Sequence, residues 1–173
     1  MKIDTKEITF KKLTKEHIGL LLDVQEETFL AHNGDPDFLR RNTYETLEVC
    51  FDKNSLVLGA YLNDELIGFG ILLDAQDTAE NLAKDVEVIQ DKLTSANVKL
   101  IIVRPSYRGN GLQKILINKL QEHAKNCGFS YLCATVSPVN NYSLNNFLGT
   151  DFINYKTLNK YGGLSRILLY KKI

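Results

Sequence analysis

The apolar residues change their spacing from one segment to the next, and this spacing predicts the order of the elements. Residues 8–13 alternate between apolar and polar, which is typical of a short strand. After Thr14, whose side chain can cap a helix, apolar residues recur with helical spacing over 18–29. A turn-rich break at 32–38 leads into a polar segment that we expect to be helical to about Phe51.

Two strongly apolar runs dominate the middle of the chain. Residues 55–62 and 65–73 are apolar on both faces and are separated by Asn63 and Asp64, so they predict a buried hairpin with a tight turn. The segment that follows, at about 75–96, is acidic. Because its apolar residues are spaced for one face of a helix, we expect a helical insertion between strands.

The second half of the chain alternates strands with helices. Its predicted elements are a strand at 98–103, a helix over 112–124 that ends near Gly128, a strand at 131–136, a short helix at 139–148, and a hairpin of 152–158 with 164–170. Pro105 cannot donate a hydrogen bond to a neighbouring strand, so we expect the first of these strands to end before it.

This order of elements predicts an α/β fold in which a mixed sheet carries helices on both faces. With 173 residues, 44% of them hydrophobic, the chain is long enough for one well-buried core and too short for two ordinary domains. The sequence has no internal repeat and no low-complexity linker. We therefore expect residues 1–173 to form a single domain.

Charge and cysteine content limit the classes of binding partner and the cellular compartment that we expect. The 21 lysines and arginines balance the 21 aspartates and glutamates, which favours a small-molecule partner over nucleic acid or an anionic membrane. Three widely spaced cysteines in apolar surroundings are typical of reduced thiols rather than of a disulfide or metal site. No run approaches the ~18 apolar residues of a membrane span. We expect a soluble cytoplasmic protein without a metal, with a homodimer as the default assembly.

A glycine-containing turn between a strand and a helix is the strongest chemical signal. Arg108, Gly109, Asn110 and Gly111 occupy the first turn before the helix, where amide N–H groups lack partners and the helix dipole favours an anion. A plain tight turn is the alternative. A dinucleotide fold would need a third glycine and a later acidic residue, and a nucleotide-kinase loop would need Gly-Lys-Ser/Thr; both patterns are absent.

The segment VKLIIVRPSYRGNGLQ, residues 98–113, resembles the cofactor motif of the GNAT N-acetyltransferases. That motif has an apolar strand, a V-x-P step, and then Q/R-x-x-G-x-G/A at the start of a helix. Arg108, Gly111 and Gln113 take the three marked positions, and Gln113 departs from the small residue of the family.

A second segment, SPVNNYSLNNFLGTDF, resembles the N-x-x-S/A helix of the same family and the strand that follows it. Asn140 and Ser143 match the motif, and Phe152 keeps the aromatic residue of that strand, although Asp151 replaces its glycine. Phe147 stands seven residues after Asn140, where the family often places a tyrosine that protonates the leaving thiolate.

The resemblance implies a mostly antiparallel sheet whose two parallel central strands splay apart to bind acetyl-CoA as a cosubstrate. The cofactor-binding residues that it implies are Ile101, Ile102 and Val103 through their backbone, Arg108, Gly109, Asn110, Gly111, Leu112 and Gln113 at the pyrophosphate, and Asn140, Ser143 and Phe147 near the thioester. Asn140 has an alternative role as a helix N-cap.

The implied reaction is acetyl transfer to a primary amine of a small molecule or peptide, by direct attack in a ternary complex. The sequence identifies no catalytic base or acid. Glu26, Glu27 and His32 are candidate bases, with surface positions as the alternative, and Tyr142 is a candidate acid. The hairpin turn at 160–166 either forms part of the acceptor wall or only closes the sheet.

Two other functions stay open at this point. The first is a catalytically degenerate module that binds acyl-CoA as a sensor, which the departures at Gln113 and Phe147 motivate. The second is an unrelated phosphate-binding α/β enzyme. The acceptor itself is not encoded in any motif of the chain.

Overall fold

The computed structural model describes the whole chain, residues 1–173. Its regular elements are β1 (Thr9–Lys12), α1 (Ile18–Ala31), α2 (Tyr44–Glu48), β2 (Leu56–Leu62), β3 (Glu65–Leu73), β4 (Ser95–Val103), α3 (Leu112–Asn126), β5 (Tyr131–Val136), α4 (Asn141–Leu148), β6 (Ile153–Lys160) and β7 (Leu164–Lys172). None of the helices combines the length and the apolar character that crossing a membrane would require.

All seven strands form one sheet in the order β1-β2-β3-β4-β5-β7-β6. Every neighbouring pair is antiparallel except β4 and β5, which run parallel at the centre. The predicted fold class, a mixed and mostly antiparallel sheet with a parallel central pair, is confirmed. So is the tight turn between β2 and β3, because Asn63 and Asp64 have φ values of 47° and 66°, the left-handed pair that suits a two-residue hairpin.

Helices cover both faces of the sheet, as predicted. On one face α3 and α4 bury Leu112, Leu116 and Phe147 in a core shared with β2, β3 and β5. On the other face α1 and α2 pack against Phe69 and Ile71 of β3. The helix α3 approaches β3 closely at Gly70, where an added Cβ would lie 3.1 Å from Leu120 Cδ1.

The segment between β3 and β4 departs from the prediction, because residues 75–96 contain no α-helix. Leu82–Asp85 and Lys92–Thr94 form short 3-10 turns, and β4 already begins at Ser95. The buried Asn81 side chain explains the difference, since its Nδ2 donates to the carbonyl oxygens of Gln76 (2.7 Å) and Lys92 (3.0 Å). A side chain that bonds loop carbonyls in this way competes with helix formation.

The helical spacing in that segment nevertheless marks its buried side. Leu82, Val86 and Ile89 pack together against Cys133 of β5 and Leu168 of β7, although no helix presents them. Similarly, the polar segment before β2 is helical only over α2 and the 3-10 turn Val49–Phe51.

Candidate functional site

The two central strands separate after a short stretch of pairing. Residues 95–97 of β4 pair with residues 131–133 of β5, and the pairing stops there. Beyond that point β4 stays paired with β3 as far as Val103, and β5 stays paired with β7 as far as Val136. Because each strand follows its own half of the sheet, a V-shaped cleft opens between them.

The cleft has two connected parts. The outer cavity, about 340 Å³, lies beside the end of β4 and the start of α3, and includes Ile102, Val103, Arg108 and Gly109. The inner chamber, about 130 Å³, lies deeper beside the first half of β4. Residues that line the inner chamber but not the outer cavity include Arg40, Glu80, Asn97, Lys99, Thr135, Phe147, Tyr161 and Arg166. Both parts share Phe38, Leu39, Ile101, Gln113, Asn140 and Ser143.

The free edge of β4 offers backbone groups to the outer cavity. Arg104 N donates to Ile67 O of β3 at 2.9 Å. Because hydrogen bonds alternate along an antiparallel strand, the N–H and C=O groups of Ile101 and Val103 face the opposite edge, toward the cleft. Ile102 instead pairs with β3. Val103 O accepts from Arg108 Nε at 3.4 Å. Of the three residues predicted on this strand, Ile101 therefore presents both its N–H and its C=O to a ligand, and Val103 presents its N–H.

The glycine turn holds a run of unpaired amides. The six consecutive N–H groups from Gly109 to Lys114 have no acceptor within the protein. Gly109 and Gly111 adopt φ values of 81° and 75°, which glycine reaches without steric cost. Because these amides lie at the start of a 15-residue helix, they form an anion-binding position. The predicted Leu112 contributes only its amide, since its side chain is buried in the core.

The side chain of Asn110 fixes this turn from behind. Its Nδ2 donates to Met1 O at 2.8 Å and to Tyr107 O at 2.9 Å, and its Oδ1 accepts from Ile3 N at 3.1 Å. The side chain of Asn110 is thus structural, and only its main-chain N–H can contact a ligand at the cleft.

Arg108 lies at the mouth of the outer cavity and is oriented by His32. The Arg108 Nη1 atom is 2.7 Å from His32 Nε2, and the His32 ring stacks on Phe38 with a centroid distance of 3.5 Å. Burial, and then the charge of Arg108, lowers the pKa of His32. The imidazole is therefore neutral at pH 7, with Nε2 as the acceptor. His32 lines the outer cavity, so the structure does not bring it to the inner chamber as a base.

Gln113 joins α3 to α4 between the two parts of the cleft. Its Nε2 donates to Ser143 Oγ at 2.8 Å, and its Oε1 accepts from Asn146 Nδ2 at 2.9 Å. The residue is only 7% exposed. The departure from the small residue of the motif is thus accommodated, because the amide points to α4 and leaves the turn open.

The start of α4 has a cap and a free amide. Asn140 Oδ1 accepts from Ser143 N at 3.0 Å, so the predicted N-cap role is present. The Asn140 Nδ2 group donates no hydrogen bond within the protein and borders both parts of the cleft. Two turns further on, Phe147 is buried edge-to-face against Phe152 and gives the inner chamber an apolar wall without a proton donor.

A bulge in β4 turns a lysine into the inner chamber. Leu100 pairs with Ile71 and Val98 pairs with Leu72, so Lys99 is an extra residue in the strand. Its side chain is 12% exposed, and its Nζ lies 3.7 Å from Glu80 Oε2.

Glu80 is the one carboxylate that lines either part of the cleft. It belongs to the loop before β4, which the buried Asn97 side chain fastens to the strand. Asn97 Nδ2 donates to Glu80 O at 2.6 Å, and Asn97 Oδ1 accepts from Leu82 N at 3.3 Å. The loop therefore holds the Glu80 main chain beside the bulge, and the half-exposed carboxylate reaches Lys99.

The β6–β7 turn forms a wall of the inner chamber, which supports the first of its two predicted roles. Tyr161 and Arg166 both line the chamber. Tyr161 Oη lies 2.9 Å from Thr135 Oγ1 of β5, which ties the turn to the central strands.

The acidic residues proposed from sequence lie elsewhere. Glu26 pairs with Arg41 at 3.2 Å, Glu27 pairs with Arg104, and neither carboxylate lines the cleft. Tyr142 does border the outer cavity, with half of its surface exposed. The sequence analysis did not identify Glu80 as a site residue, because its proximity to β4 depends on a loop and a bulge that no local pattern encodes.

The comparisons with known proteins, by sequence model and by structure, match acetyltransferases. Residues 20–149 match the sequence model of the acetyltransferase (GNAT) family. No curated protein sequence matches the chain. Among solved structures, yncA of Salmonella typhimurium, solved with its cofactor acetyl-CoA, superposes with a TM-score of 0.71 at 15% identity, over 96% of this chain and 94% of that one.

Two further solved structures share the fold. An N-acetyltransferase of Staphylococcus aureus Mu50 has a TM-score of 0.72 at 16% identity, over 95% of this chain and 98% of that one. The aminoglycoside acetyltransferase AAC(6')-Ib, in complex with coenzyme A and kanamycin, has a TM-score of 0.70 at 16% identity, over 95% of this chain and 94% of that one.

Proposed function

The chain belongs to the GNAT acetyltransferase family, and from that premise we propose that it acetylates a primary amine of a small molecule or peptide. Acetyl-CoA is the cosubstrate of the family. The observation that carries the proposal is the arrangement of polar groups along the cleft. An anion-binding turn lies at its outer end, and one carboxylate, that of Glu80, lies at its inner end. An unrelated phosphate-binding enzyme is set aside by the family match.

The residues of the outer cavity fit the cosubstrate. The unpaired amides from Gly109 to Gln113, together with the Arg108 guanidinium, would hold the pyrophosphate. The main-chain groups of Ile101 and Val103 would bond the pantetheine arm as a neighbouring strand does. Ile102 would contribute packing alone. Asn140 and Ser143 lie where the cavity meets the inner chamber, and Phe147 lines the inner chamber alone; the three would border the thioester.

When bound, acetyl-CoA supplies a thioester whose carbonyl carbon bonds to the amine nitrogen in a ternary complex while the carbon–sulfur bond breaks and the sulfur leaves as thiolate. Glu80 accepts the proton that the amine loses. Freeing an amine of pKa near 10.4 at pH 7 costs about 4.6 kcal/mol, whereas a thiol of pKa near 8.5 leaves as thiolate with a deficit of about 2 kcal/mol. A base therefore matters more than an acid, and Phe147 in place of a tyrosine is compatible with turnover.

The alternative function is an acyl-CoA-binding module without turnover. Thiol release from acetyl-CoA across a panel of amines separates the two functions, because the module binds CoA but releases no thiol in response to any amine. A thermal shift with CoA measures binding independently of turnover.

The Glu80→Gln variant tests the base. We expect kcat/KM for the amine to fall by about 10²- to 10⁴-fold at pH 7, as for the loss of a general base. The deficit should shrink at high pH, where the amine loses its proton to solvent. Glu87→Gln is the matched control, since that carboxylate lies in the same inter-strand loop but contacts Tyr155 and Lys156 outside the cleft. Equal effects of the two substitutions would remove Glu80 from the mechanism.

We also propose that residues 1–173 form one acetyltransferase domain in the cytoplasm. A single sheet that runs from β1 to β7 supports the first statement. The three free cysteines, two of them buried, support the second.

A further inference from the structure

The inner chamber carries more positive charge than negative charge. Arg40, Lys99 and Arg166 line it together with the single carboxylate of Glu80. Lys99 is matched by Glu80, which lies 3.7 Å away. The two arginines carry the remaining charge. This imbalance is local, because the chain as a whole has equal numbers of acidic and basic residues.

Arg166 is a buried cation without a carboxylate partner. Its residue surface is 4% exposed, and no carboxylate oxygen lies within ion-pair distance of its guanidinium. The guanidinium donates only to the carbonyl oxygens of Ser165 (2.8 Å) and Pro36 (3.4 Å). Because a guanidinium has five N–H donors, most of them have no partner in the protein. Asp37 and Asp35 act on it electrostatically, but from beyond ion-pair distance. Buried arginines are almost always paired directly, so this one is arranged for an external anion.

Arg40 is an exposed residue that also lines the chamber. It follows α1 in the loop before α2, and its guanidinium lies over the Tyr161 ring with its carbon 4.2 Å from the ring centroid. Stacking fixes the plane of the guanidinium and leaves the N–H groups at its edge free to donate. Arg40 forms no ion pair within the protein.

These arginines are separate from the anion position of the cosubstrate. Arg166 and Arg40 line only the inner chamber, whereas the amides of the glycine turn and Arg108 line the outer cavity. Along β4, Val103 in the cavity lies four positions beyond Lys99 in the chamber, which is about 13 Å of extended strand. An anion bound by these two arginines would therefore belong to the other substrate.

We propose that the amine acceptor carries a carboxylate, which Arg166 and Arg40 bind while the amine lies near Glu80. The acceptor class is thus a small amino acid, or another compact molecule with one primary amine and one carboxylate. A carboxylate suits this position because two of its oxygens can accept paired N–H bonds from a planar guanidinium. The inference rests on the proposed acetyltransferase function and specifies the acceptor for it.

Matched acceptors test the proposal. Alanine against alaninamide, and β-alanine against β-alaninamide, differ in the carboxylate, which also raises the pKa of the neighbouring amine, so rates are compared at equal concentrations of free amine. We expect kcat/KM to be about 10- to 100-fold higher for each acid than for its amide, as for the loss of a charge-assisted hydrogen bond. Amides that react as well as the acids would overturn the proposal. Phosphoethanolamine in preference to β-alanine would also overturn it, by assigning the arginines to a phosphate.

Substitutions assign the effect to the two arginines. Arg40→Gln should raise KM for the acids about tenfold and change KM for the amides less than about twofold. We expect Arg166→Gln to raise KM for the acids still more, again with little change in KM for the amides. Since Arg166 is buried and its replacement can impair folding, Arg40→Gln decides the question if the second variant does not fold. Arg41→Gln is the control, because Arg41 is exposed and paired with Glu26 outside the chamber. An equal loss for acids and amides in Arg40→Gln contradicts the assignment.

Calorimetric titration of the same compounds into the CoA-bound protein separates this inference from the proposed function. Tighter binding of the acids than of the amides, lost in Arg40→Gln, supports the carboxylate site even for a protein that releases no thiol. Equal binding of acids and amides refutes the site even if some amine is acetylated.

Discussion

The Gln113 side chain joins α3 to α4 between the two parts of the cleft, and replacing it with methionine measures what that connection contributes. Methionine keeps the length of the side chain but removes two hydrogen bonds, to Ser143 and from Asn146, which contribute about 1 kcal/mol each. The loss also leaves the buried Asn146 Nδ2 without a partner, at a cost of about 1–3 kcal/mol. Since these terms overlap, we expect Gln113→Met to lower the free energy of unfolding by about 2–4 kcal/mol.

The assay is thermal and urea unfolding followed by circular dichroism. At about 3 °C per kcal/mol for a domain of this size, the melting temperature should fall by roughly 6–12 °C. Gln121→Met is the matched control on the same helix, because Gln121 Oε1 is buried and has no hydrogen-bond partner to lose. We expect that control to stay within about 0.5 kcal/mol of the wild-type protein.

A double variant separates the hydrogen bond from packing. In Gln113→Met with Asn146→Leu both polar partners are gone, so we expect about 1–2 kcal/mol less destabilisation than the two single losses combined. Two results would refute the reasoning: single-variant losses that simply add, or a Gln113→Met protein that melts within about 2 °C of the wild type.

Two further predictions concern titrating groups. Burial raises the pKa of Cys50 to about 11 and that of Cys133 to about 12, so a thiol reagent at pH 8 should label Cys127 first and the other two only on unfolding; labelling of all three at one rate would contradict this. Because burial and Arg108 lower the pKa of His32, the folded protein binds fewer protons there than the unfolded chain, and stability should fall as pH drops below about 6.5. An NMR titration should show His32 below 6.5, and higher in Arg108→Gln; an unchanged midpoint would contradict the contact.

Elements defined by local patterns were readable from the sequence. The hairpin turn at Asn63 and Asp64 and the helix end at Gly128, with φ of 86°, each follow from residues that tolerate left-handed conformations. The outer cavity was readable for a related reason: its turn is contiguous, so the strand, the glycines and the helix start all lie within 98–113.

The segment 75–96 was misread because its spacing reports burial rather than conformation. Leu82, Val86 and Ile89 are buried as a helix face would be, but the loop carbonyls are bonded by Asn81 instead of by helical amides. An asparagine that bonds the backbone of a loop leaves the same pattern of apolar residues as a helix.

The inner chamber could not be assembled from the sequence. Glu80 comes from the loop before β4, Lys99 from a bulge, and Arg40 and Arg166 from segments more than 100 residues apart. Each of these side chains is unremarkable in its own segment. Their meeting depends on the divergence of β4 and β5, which is a property of the whole sheet.

The three residue pairs between β4 and β5 have a mechanical consequence. They are the only strand pairing between the four-stranded half of the sheet, β1–β4, and the three-stranded half, β5–β7. The remaining contacts between the halves come from helices packed over both of them. A molecule bound between β4 and β5 would add contacts that the sheet lacks there. Its binding would therefore also stabilise the two halves of the sheet against separation. The proposed cosubstrate site therefore lies at the joint with the fewest residue pairs between neighbouring strands.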